Sequence, residues 1–197
     1  MTRSPRRIFA AIFPAVALVA FALLGAVPAL PAQSPSPAPD FALINQDGAR
    51  VSLQQFRGRL VILTFIYTHC PDICPLTTAK LVRVQNELKK RGWFGRKVVL
   101  LSMTFDPQRD TPAVMKAYAA KFKVDHAGWH FLSGDPATVL KVVQAYRVPV
   151  RPSARPGRID HGLPTLVIDP QGRILGFYNP DFDPQDVVRD LTHLLGF

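Results

Sequence analysis

The chain has 197 residues, of which 48% are hydrophobic, so it is long enough for one ordinary domain whose core needs no disulfide staples. Its formal net charge is +10, with 24 basic against 14 acidic residues, which favours anionic partners such as a membrane surface or an acidic protein face. The densest group of arginines contains no interleaved aromatic side chains, which argues against a nucleic-acid-binding protein.

The first 30 residues are predicted to be a secretory signal peptide or an N-terminal membrane anchor. Three arginines precede an uncharged run that begins at Ile8 and stays strongly apolar as far as Leu30. A membrane-spanning helix needs ~20 apolar residues, which this run nearly supplies, whereas the small residues Ala29 and Ala32 would suit cleavage. No cysteine lies near the run, so a lipid-anchored form is excluded. In either case we expect the domain to work outside the cytoplasm.

A tether and then a folded domain follow this segment. Residues 31–39, PAQSPSPAP, contain proline, serine and alanine without apolar periodicity, as is typical of a tether. The folded domain is predicted to cover residues 40–197. Its first segment, FALINQDGARVSL, predicts a β-hairpin that turns at Asp47 and Gly48.

Both cysteines lie between a predicted strand and a predicted helix. The run RLVILTFIY, residues 59–67, is continuously apolar and rich in β-branched side chains, which favours a strand buried on both faces. Residues 75–91 predict a helix with proline in its first turn. Cys70 and Cys74 therefore lie at the carboxyl end of a strand and the amino end of a helix, where open α/β sheets place their sites.

The rest of the chain continues to alternate between strands and helices. A second buried strand is followed by two helices that open with proline, by a strand–turn–strand segment and by a closing amphipathic helix: residues 97–105, 112–122, 136–146, 165–178 and 184–195. This alternation predicts an α/β protein, with a central sheet that has helices on both faces.

The spacing of the two cysteines restricts their role. Cys70 and Cys74 are the only cysteines, with three residues between them. A disulfide that closes so short a loop removes only about 2 kcal/mol of unfolded-state entropy, which disfavours a purely structural bridge. A reversible dithiol or a metal site is the remaining choice. Because a helix N-terminus favours negative charge, we expect a lowered pKa for the Cys74 thiol.

Two thiolates form a soft ligand pair that suits Cu(I) but requires a third donor. Three of the five histidines have no special context and are expected at the surface or in the core: His126, His130 and His193. His69 neighbours Cys70, but adjacent side chains in an extended segment point in opposite directions, so we expect a supporting or surface role. His161 comes just before a buried strand, and its position alone leaves its role open.

Residues 40–178 resemble the Sco/SenC family of copper proteins. Four segments match in the same order: FALINQDG, FIYTHCPDICP, MTFDPQRDTP and DHGLPTLVIDPQG. The resemblance implies a thioredoxin-like fold preceded by an N-terminal β-hairpin, and copper, as Cu(I) or Cu(II), bound by Cys70, Cys74 and His161. It also makes the two cysteines a redox-active dithiol. Asp106 and Asp110 match the acidic segment near the family's site; we expect Asp110 to cap a helix, and the role of Asp106 stays open.

The resemblance further implies a metallochaperone that delivers copper to, or matures, the binuclear copper site of cytochrome c oxidase. The implied client is cytochrome c oxidase subunit II, with other periplasmic copper or thiol-redox proteins as further partners and no nucleic acid. The implied location is the periplasmic side of the inner membrane, attached through the N-terminal segment if it is not cleaved. The alternative is a thiol–disulfide oxidoreductase that keeps a client's copper-binding cysteines reduced, which would not require His161.

Two other classes of protein fit the sequence poorly. Thiol peroxidases have threonine three residues before the reactive cysteine, where this chain has Tyr67. Structural zinc sites prefer four protein ligands, and only three converge here. Pro164 and Thr165 resemble the cis-proline signature of thioredoxins, so we predict a cis peptide bond before Pro164. The Sco/SenC family commonly has another residue in place of this proline. This difference, together with the short, arginine-rich loop 149–159, leaves room for a redox role or for a different copper client.

Overall fold

The computed structural model describes residues 35–154, 158–162 and 164–197. Within these ranges the strands are β1 (Ser36–Pro37), β2 (Ala42–Asn45), β3 (Arg50–Ser52), β4 (Leu60–Ile66), β5 (Val98–Thr104), β6 (Trp129–Ser133), β7 (Val150–Pro152), β8 (Ile159–His161), β9 (Thr165–Ile168) and β10 (Arg173–Tyr178). The α-helices are α1 (Ile73–Lys90), α2 (Pro112–Lys121), α3 (Pro136–Ala145) and α4 (Pro184–Leu194), and Leu53–Phe56 forms a 3-10 helix.

Eight of the described strands form one sheet in the order β1-β10-β9-β4-β5-β6-β2-β3. Strands β4, β5 and β6 are parallel, whereas β9 is antiparallel to β4 and β10 is antiparallel to β9. Strands β4 and β10 therefore run in the same direction, and their carboxyl ends lie at the same end of the sheet. Strands β7 and β8 form a separate two-stranded hairpin that precedes β9.

The core is built around β4 and β5, in which every residue is buried. Each buried Val, Leu, Ile or Phe side chain contributes about 1.5–3 kcal/mol relative to an exposed one, so these two strands anchor the sheet. Helices α1 and α4 pack against each other. The hydroxyls of Thr78 in α1 and Tyr118 in α2 lie 3.0 Å apart and share a hydrogen bond. Just after α3, the ring of Tyr146 lies 5.6 Å from that of Phe65 in β4.

Three helices begin with the same local chemistry. A capping side chain accepts a hydrogen bond from a backbone N–H of the first turn, and the next residue is proline, whose fixed φ suits a helix start. The pairs are Thr111–Pro112 for α2, Asp135–Pro136 for α3 and Asp183–Pro184 for α4. This agrees with the helix starts predicted from the sequence.

The predicted fold class is confirmed, because the chain forms a thioredoxin-like α/β sheet, and the N-terminal hairpin β2–β3 joins that sheet beside β6. The helix predicted over residues 75–91 begins two residues earlier, at Ile73. Strand β6 was not predicted, because its short sequence WHFLS gave no alternating pattern. The pairing of β7 with β8 was also missed, since residues 149–159 were expected to be a loop.

The N-terminal predictions are only partly within the described residues. Ser36 and Pro37, in the predicted tether, pair with β10 and so add a short strand to the sheet. Residues 1–30, predicted to be a signal peptide or anchor, lie outside the described residues, as does the Leu163–Pro164 peptide bond that was predicted to be cis. In the part of the chain that is described, no helix has the length and apolar character to cross a bilayer.

Candidate metal centre

The cysteines lie in the loop that joins β4 to α1 and in the first turn of α1. The backbone N–H of Cys70 donates to the carbonyl of Tyr67 at 3.2 Å, which turns the chain directly after β4. Helix α1 then begins after Asp72, whose carboxylate accepts from the N–H of Ile73. Cys74 is completely buried, whereas Cys70 keeps 7% of its surface exposed. Both are free thiols.

His161 reaches the site from the β7–β8 hairpin. It is the last residue of β8 and pairs with Val150 of β7. The next residue, Gly162, donates its N–H to the carbonyl of Pro149 at 2.9 Å, which fixes the chain just after the histidine. The imidazole lies 4.6 Å from the ring of Phe105 and 5.4 Å, edge to face, from that of Tyr67. Two aromatic side chains therefore hold its orientation.

The donor atoms of Cys70, Cys74 and His161 all lie within 4.8 Å of one another. Two sulfurs and one ring nitrogen thus surround a single position, as expected for a soft metal ion. The Nδ1 atom of His161 is buried and has no hydrogen-bond partner among the described residues. Buried polar atoms are nearly always hydrogen-bonded, so an imidazole that belongs to this donor group and keeps one nitrogen unpaired fits a ligand for a bound metal.

The two thiols have opposite pKa shifts. The Cys74 thiol donates to the Cys70 sulfur, and chiefly for this reason the pKa of Cys70 falls to about 4 although burial opposes the change. The pKa of Cys74 is raised, first because it is the donor in this bond and second because it is buried. The expectation of a lowered pKa for Cys74 was wrong. The N–H of Cys74 at the helix start points at the Cys70 sulfur, 3.4 Å away, so Cys70 gains that stabilisation.

Asp110 is a buried residue that supports the cysteine loop. Its carboxylate accepts from the N–H of Thr68 at 3.1 Å, from the Thr68 hydroxyl, and from the Thr104 hydroxyl at 2.6 Å. Burial raises the pKa of Asp110. The expectation that Asp110 caps α2 was wrong, because Thr111 is the N-cap and accepts from the N–H of Val114. The adjacent threonine offered an equally good cap, so the sequence did not distinguish the two.

The other candidates lie outside the group of metal donors. Asp106 forms an ion pair with Arg109, and its carbonyl accepts from the N–H groups of Arg109 and Asp110, so it organises a turn. The side chain of His69 is 53% exposed, as expected for a surface role. The remaining histidines do not join the donor group either: His126, His130 and His193.

A pocket of ≈ 560 Å³ gives access to the site. Its walls include Cys70 and His161, together with residues of the cysteine loop and the β7–β8 segment: Tyr67, Pro71, Asp72, Ile73, Ser153, Ala154, Arg158, Ile159 and Asp160. Cys74 is not part of the wall. A partner in the pocket therefore meets Cys70 and His161 first, with Cys74 behind them.

Several known proteins are similar in sequence to this chain. The chain is 29% identical to the SCO1 protein homolog of Bacillus subtilis over 141 residues, 71% of this chain and 72% of the relative. It spans a smaller share of the mitochondrial relatives, 42% of SCO1 homolog 1 from Arabidopsis thaliana and 53% of the SCO2 homolog from Bos taurus.

Two structures show the same fold. The crystal structure of Arabidopsis thaliana ScoI with copper bound has 29% identity and a TM-score of 0.71, covering 81% of this chain and 98% of ScoI. BsSco, described as a member of the Sco family of cytochrome c oxidase assembly proteins in which a disulfide switch was identified, has 26% identity and a TM-score of 0.71, covering 83% and 95%. A family model described as SCO1/SenC matches residues 31–196. The chain belongs to the SCO1/SenC family.

Proposed function

We propose that this protein is a copper metallochaperone that binds one copper ion through Cys70, Cys74 and His161. The observation that carries the proposal is the convergence of these three donor atoms within 4.8 Å. Thiolate sulfur with imidazole nitrogen is a donor set that selects soft ions such as Cu(I). The copper-bound structure of the related ScoI supports the same choice of metal.

Copper is the cargo, and the reduced site is largely prepared for it. Cys70 has a pKa of about 4, so it is already a thiolate at neutral pH. Cys74 keeps its proton, which must leave when the ion binds, and the imidazole must be neutral. Copper affinity should therefore fall as the pH is lowered and protons compete for the donors.

The client that we propose is the binuclear copper site of cytochrome c oxidase, in subunit II. The description of BsSco as a member of a family of cytochrome c oxidase assembly proteins supports this client. We further propose that residues 1–30 are a signal peptide or membrane anchor, that 31–39 link it to the domain, and that the domain works on the periplasmic side of the inner membrane. A related SCO1/SenC lipoprotein from Bacillus anthracis supports a membrane-attached location.

A thiol–disulfide oxidoreductase is the second candidate, and the asymmetry of the two thiols favours it. The Cys70 thiolate faces the pocket and could attack a client disulfide, forming a mixed disulfide and releasing one client thiolate. Cys74, once deprotonated, could then attack Cys70 and release the second client thiolate. The client would leave as a dithiol and the chain would retain a Cys70–Cys74 disulfide. The disulfide switch described for BsSco supports this chemistry.

Titration of the reduced and oxidised protein with Cu(I) separates these functions. We expect the reduced protein to bind one Cu(I), and the disulfide form to bind none because both sulfur donors are consumed. The same samples are assayed for reduction of a peptide that contains one disulfide. If the reduced protein binds no copper and yet reduces the peptide efficiently, the oxidoreductase replaces the chaperone.

A further inference from the structure

Asp110 is a completely buried carboxylate to which the proposed copper and thiol chemistry assigns no role. It lies in the segment between β5 and α2, outside the group of metal donors. Burial of a carboxylate is costly unless hydrogen bonds replace the water that it has lost. The groups that donate to Asp110 are therefore held at fixed positions relative to one another, and these groups indicate what the residue does.

On one side, the Asp110 carboxylate holds the loop that carries Cys70. It accepts from the backbone N–H of Thr68 at 3.1 Å and from the Thr68 hydroxyl. Thr68 is two residues before Cys70, whose own N–H donates to the carbonyl of Tyr67 at 3.2 Å. These bonds fix the turn that directly follows β4 and thereby the start of the cysteine loop.

On the other side, the same carboxylate holds the end of β5. It accepts from the hydroxyl of Thr104, the last residue of β5, at 2.6 Å. The next residue is Phe105, whose N–H donates to the carbonyl of Ile66 at 3.1 Å. The Phe105 ring lies 4.6 Å from the imidazole of His161. Asp110 therefore also fixes the segment against which the histidine packs.

The backbone of Asp110 is itself held by hydrogen bonds on both sides of the residue. Its N–H donates to the carbonyl of Asp106 at 2.9 Å, and its carbonyl accepts from the hydroxyl of Ser133 in β6. Its carboxylate joins Thr68, just after β4, to Thr104, at the end of the neighbouring parallel strand β5. One buried side chain thus connects the cysteine side of the metal centre with the histidine side.

We propose that Asp110 is a positioning residue that sets the spacing between the sulfur donors and the imidazole of the metal centre. It acts on the cysteine loop through Thr68. It acts on His161 through Thr104 and Phe105. Loss of a residue that holds metal ligands in place typically lowers metal affinity by about 10- to 100-fold. The inference rests on copper binding in the proposed function, and it adds the residue that prearranges the copper donors.

The test compares two substitutions of Asp110 in the reduced full chain. Asp110→Ala removes every hydrogen bond that the carboxylate accepts. Asp110→Asn keeps the shape, because the amide oxygen can accept in place of one carboxylate oxygen and the amide N–H can donate to the Thr68 hydroxyl. We expect the Cu(I) affinity, measured by competition with a chromogenic chelator, to fall by about 10- to 100-fold in Asp110→Ala. Asp110→Asn should stay close to the wild type.

Asp169→Ala is the matched control, since it also removes a buried carboxylate. Asp169 is 5% exposed and accepts from the backbone N–H and the guanidinium of Arg173. It follows Ile168, which pairs with Val61 near the amino end of β4, so it lies at the opposite end of β4 from the cysteine loop. We expect Asp169→Ala to bind Cu(I) with the affinity of the wild type.

A second measurement does not depend on copper. In the reduced, copper-free protein, nuclear Overhauser contacts between the rings of His161 and Phe105 should be weaker in Asp110→Ala than in the wild type. They should be unchanged in Asp110→Asn and Asp169→Ala. If Asp110→Ala does not fold, Thr104→Val takes its place in both measurements, because it replaces the hydroxyl that donates to the carboxylate by a methyl group.

The proposal is overturned if Asp110→Ala keeps the wild-type Cu(I) affinity or the wild-type ring contacts. It is also overturned if Asp169→Ala loses as much Cu(I) affinity, because any lost buried carboxylate would then have the same effect. An equal loss in Asp110→Asn overturns it as well, because the charge of the residue would then matter more than its hydrogen bonds. A wild type that binds no Cu(I) rejects the proposed function, whereas the ring contacts still decide the role of Asp110.

Discussion

Cys70 and Cys74 have different roles although only three residues separate them. Cys70 lines the pocket, and its lowered pKa makes it a thiolate at neutral pH, whereas Cys74 is completely buried and its raised pKa keeps its proton in place. The reduced pair therefore holds one proton, on the inner sulfur. In either proposed function, Cys70 would be the sulfur that an incoming ion or a client disulfide contacts first, and Cys74 would act second, once its proton has left.

Alkylation of the reduced protein should reveal this asymmetry. The pKa of Cys70 is about 4, so its reaction with iodoacetamide should stay near its maximum from pH 8 down to pH 6. An ordinary thiol, with a pKa of about 8.5, would lose close to tenfold per pH unit over that range. Cys74 should react far more slowly. The rates are measured by mass spectrometry of each cysteine-containing peptide.

A matched variant tests the cause of the shift. Cys74→Ala removes the thiol that donates to Cys70, so the midpoint of the Cys70 pH profile should move upward. The pKa of Cys70 is lower in the folded protein than in the unfolded chain, so the thiolate stabilises the reduced fold. This stabilisation is fully present above the unfolded-state pKa and is lost as the pH falls toward about 4. A Cys70 midpoint near that of an ordinary thiol in the wild type would contradict the assigned hydrogen bond.

At the scale of the elements, the β7–β8 hairpin brings His161 to the cysteines. Its pairs include Val150 with His161, and Gly162 continues the contact by bonding to Pro149. The sequence did not predict this hairpin, because each of its strands has only 3 residues, too few to establish an alternating pattern. Their pairing depends on tertiary contacts, such as the packing of His161 against Phe105.

Gly162→Ala tests whether this hairpin positions the histidine. A Cβ at residue 162 would lie 2.9 Å from Cδ and 3.0 Å from Cγ of Pro149, so the ring or the hairpin must move. We expect weaker Cu(I) binding, because ligand geometry depends on His161 next to it. Gly176→Ala is the control, since its Cβ would meet nothing within 4 Å. Equal Cu(I) affinity of the two variants, measured by chelator competition, would count against a positioning role for the hairpin.

At the scale of the whole molecule, the sequence predicted the parts of the fold with strong local signals. The buried runs of β4 and β5 and the proline-opened helices α2, α3 and α4 are examples. The sheet order and the antiparallel direction of β9 could not be read from these patterns, since they depend on contacts distant in sequence. Within the site, the hydrogen bonds of buried Asp110 and the direction of the cysteine pKa shifts were also inaccessible, because both depend on side-chain orientation.

The central claim is that the fold makes His161, rather than the histidine next to Cys70, the third copper ligand. The direct measurement is Cu(I) affinity of the reduced wild type, His161→Ala and His69→Ala, by competition with a chromogenic chelator. We predict that His161→Ala loses more than about tenfold in affinity, the lower limit typical for residues that only support a ligand. His69→Ala should match the wild type, since its side chain is 53% exposed. Equal affinity of His161→Ala and the wild type would contradict the account.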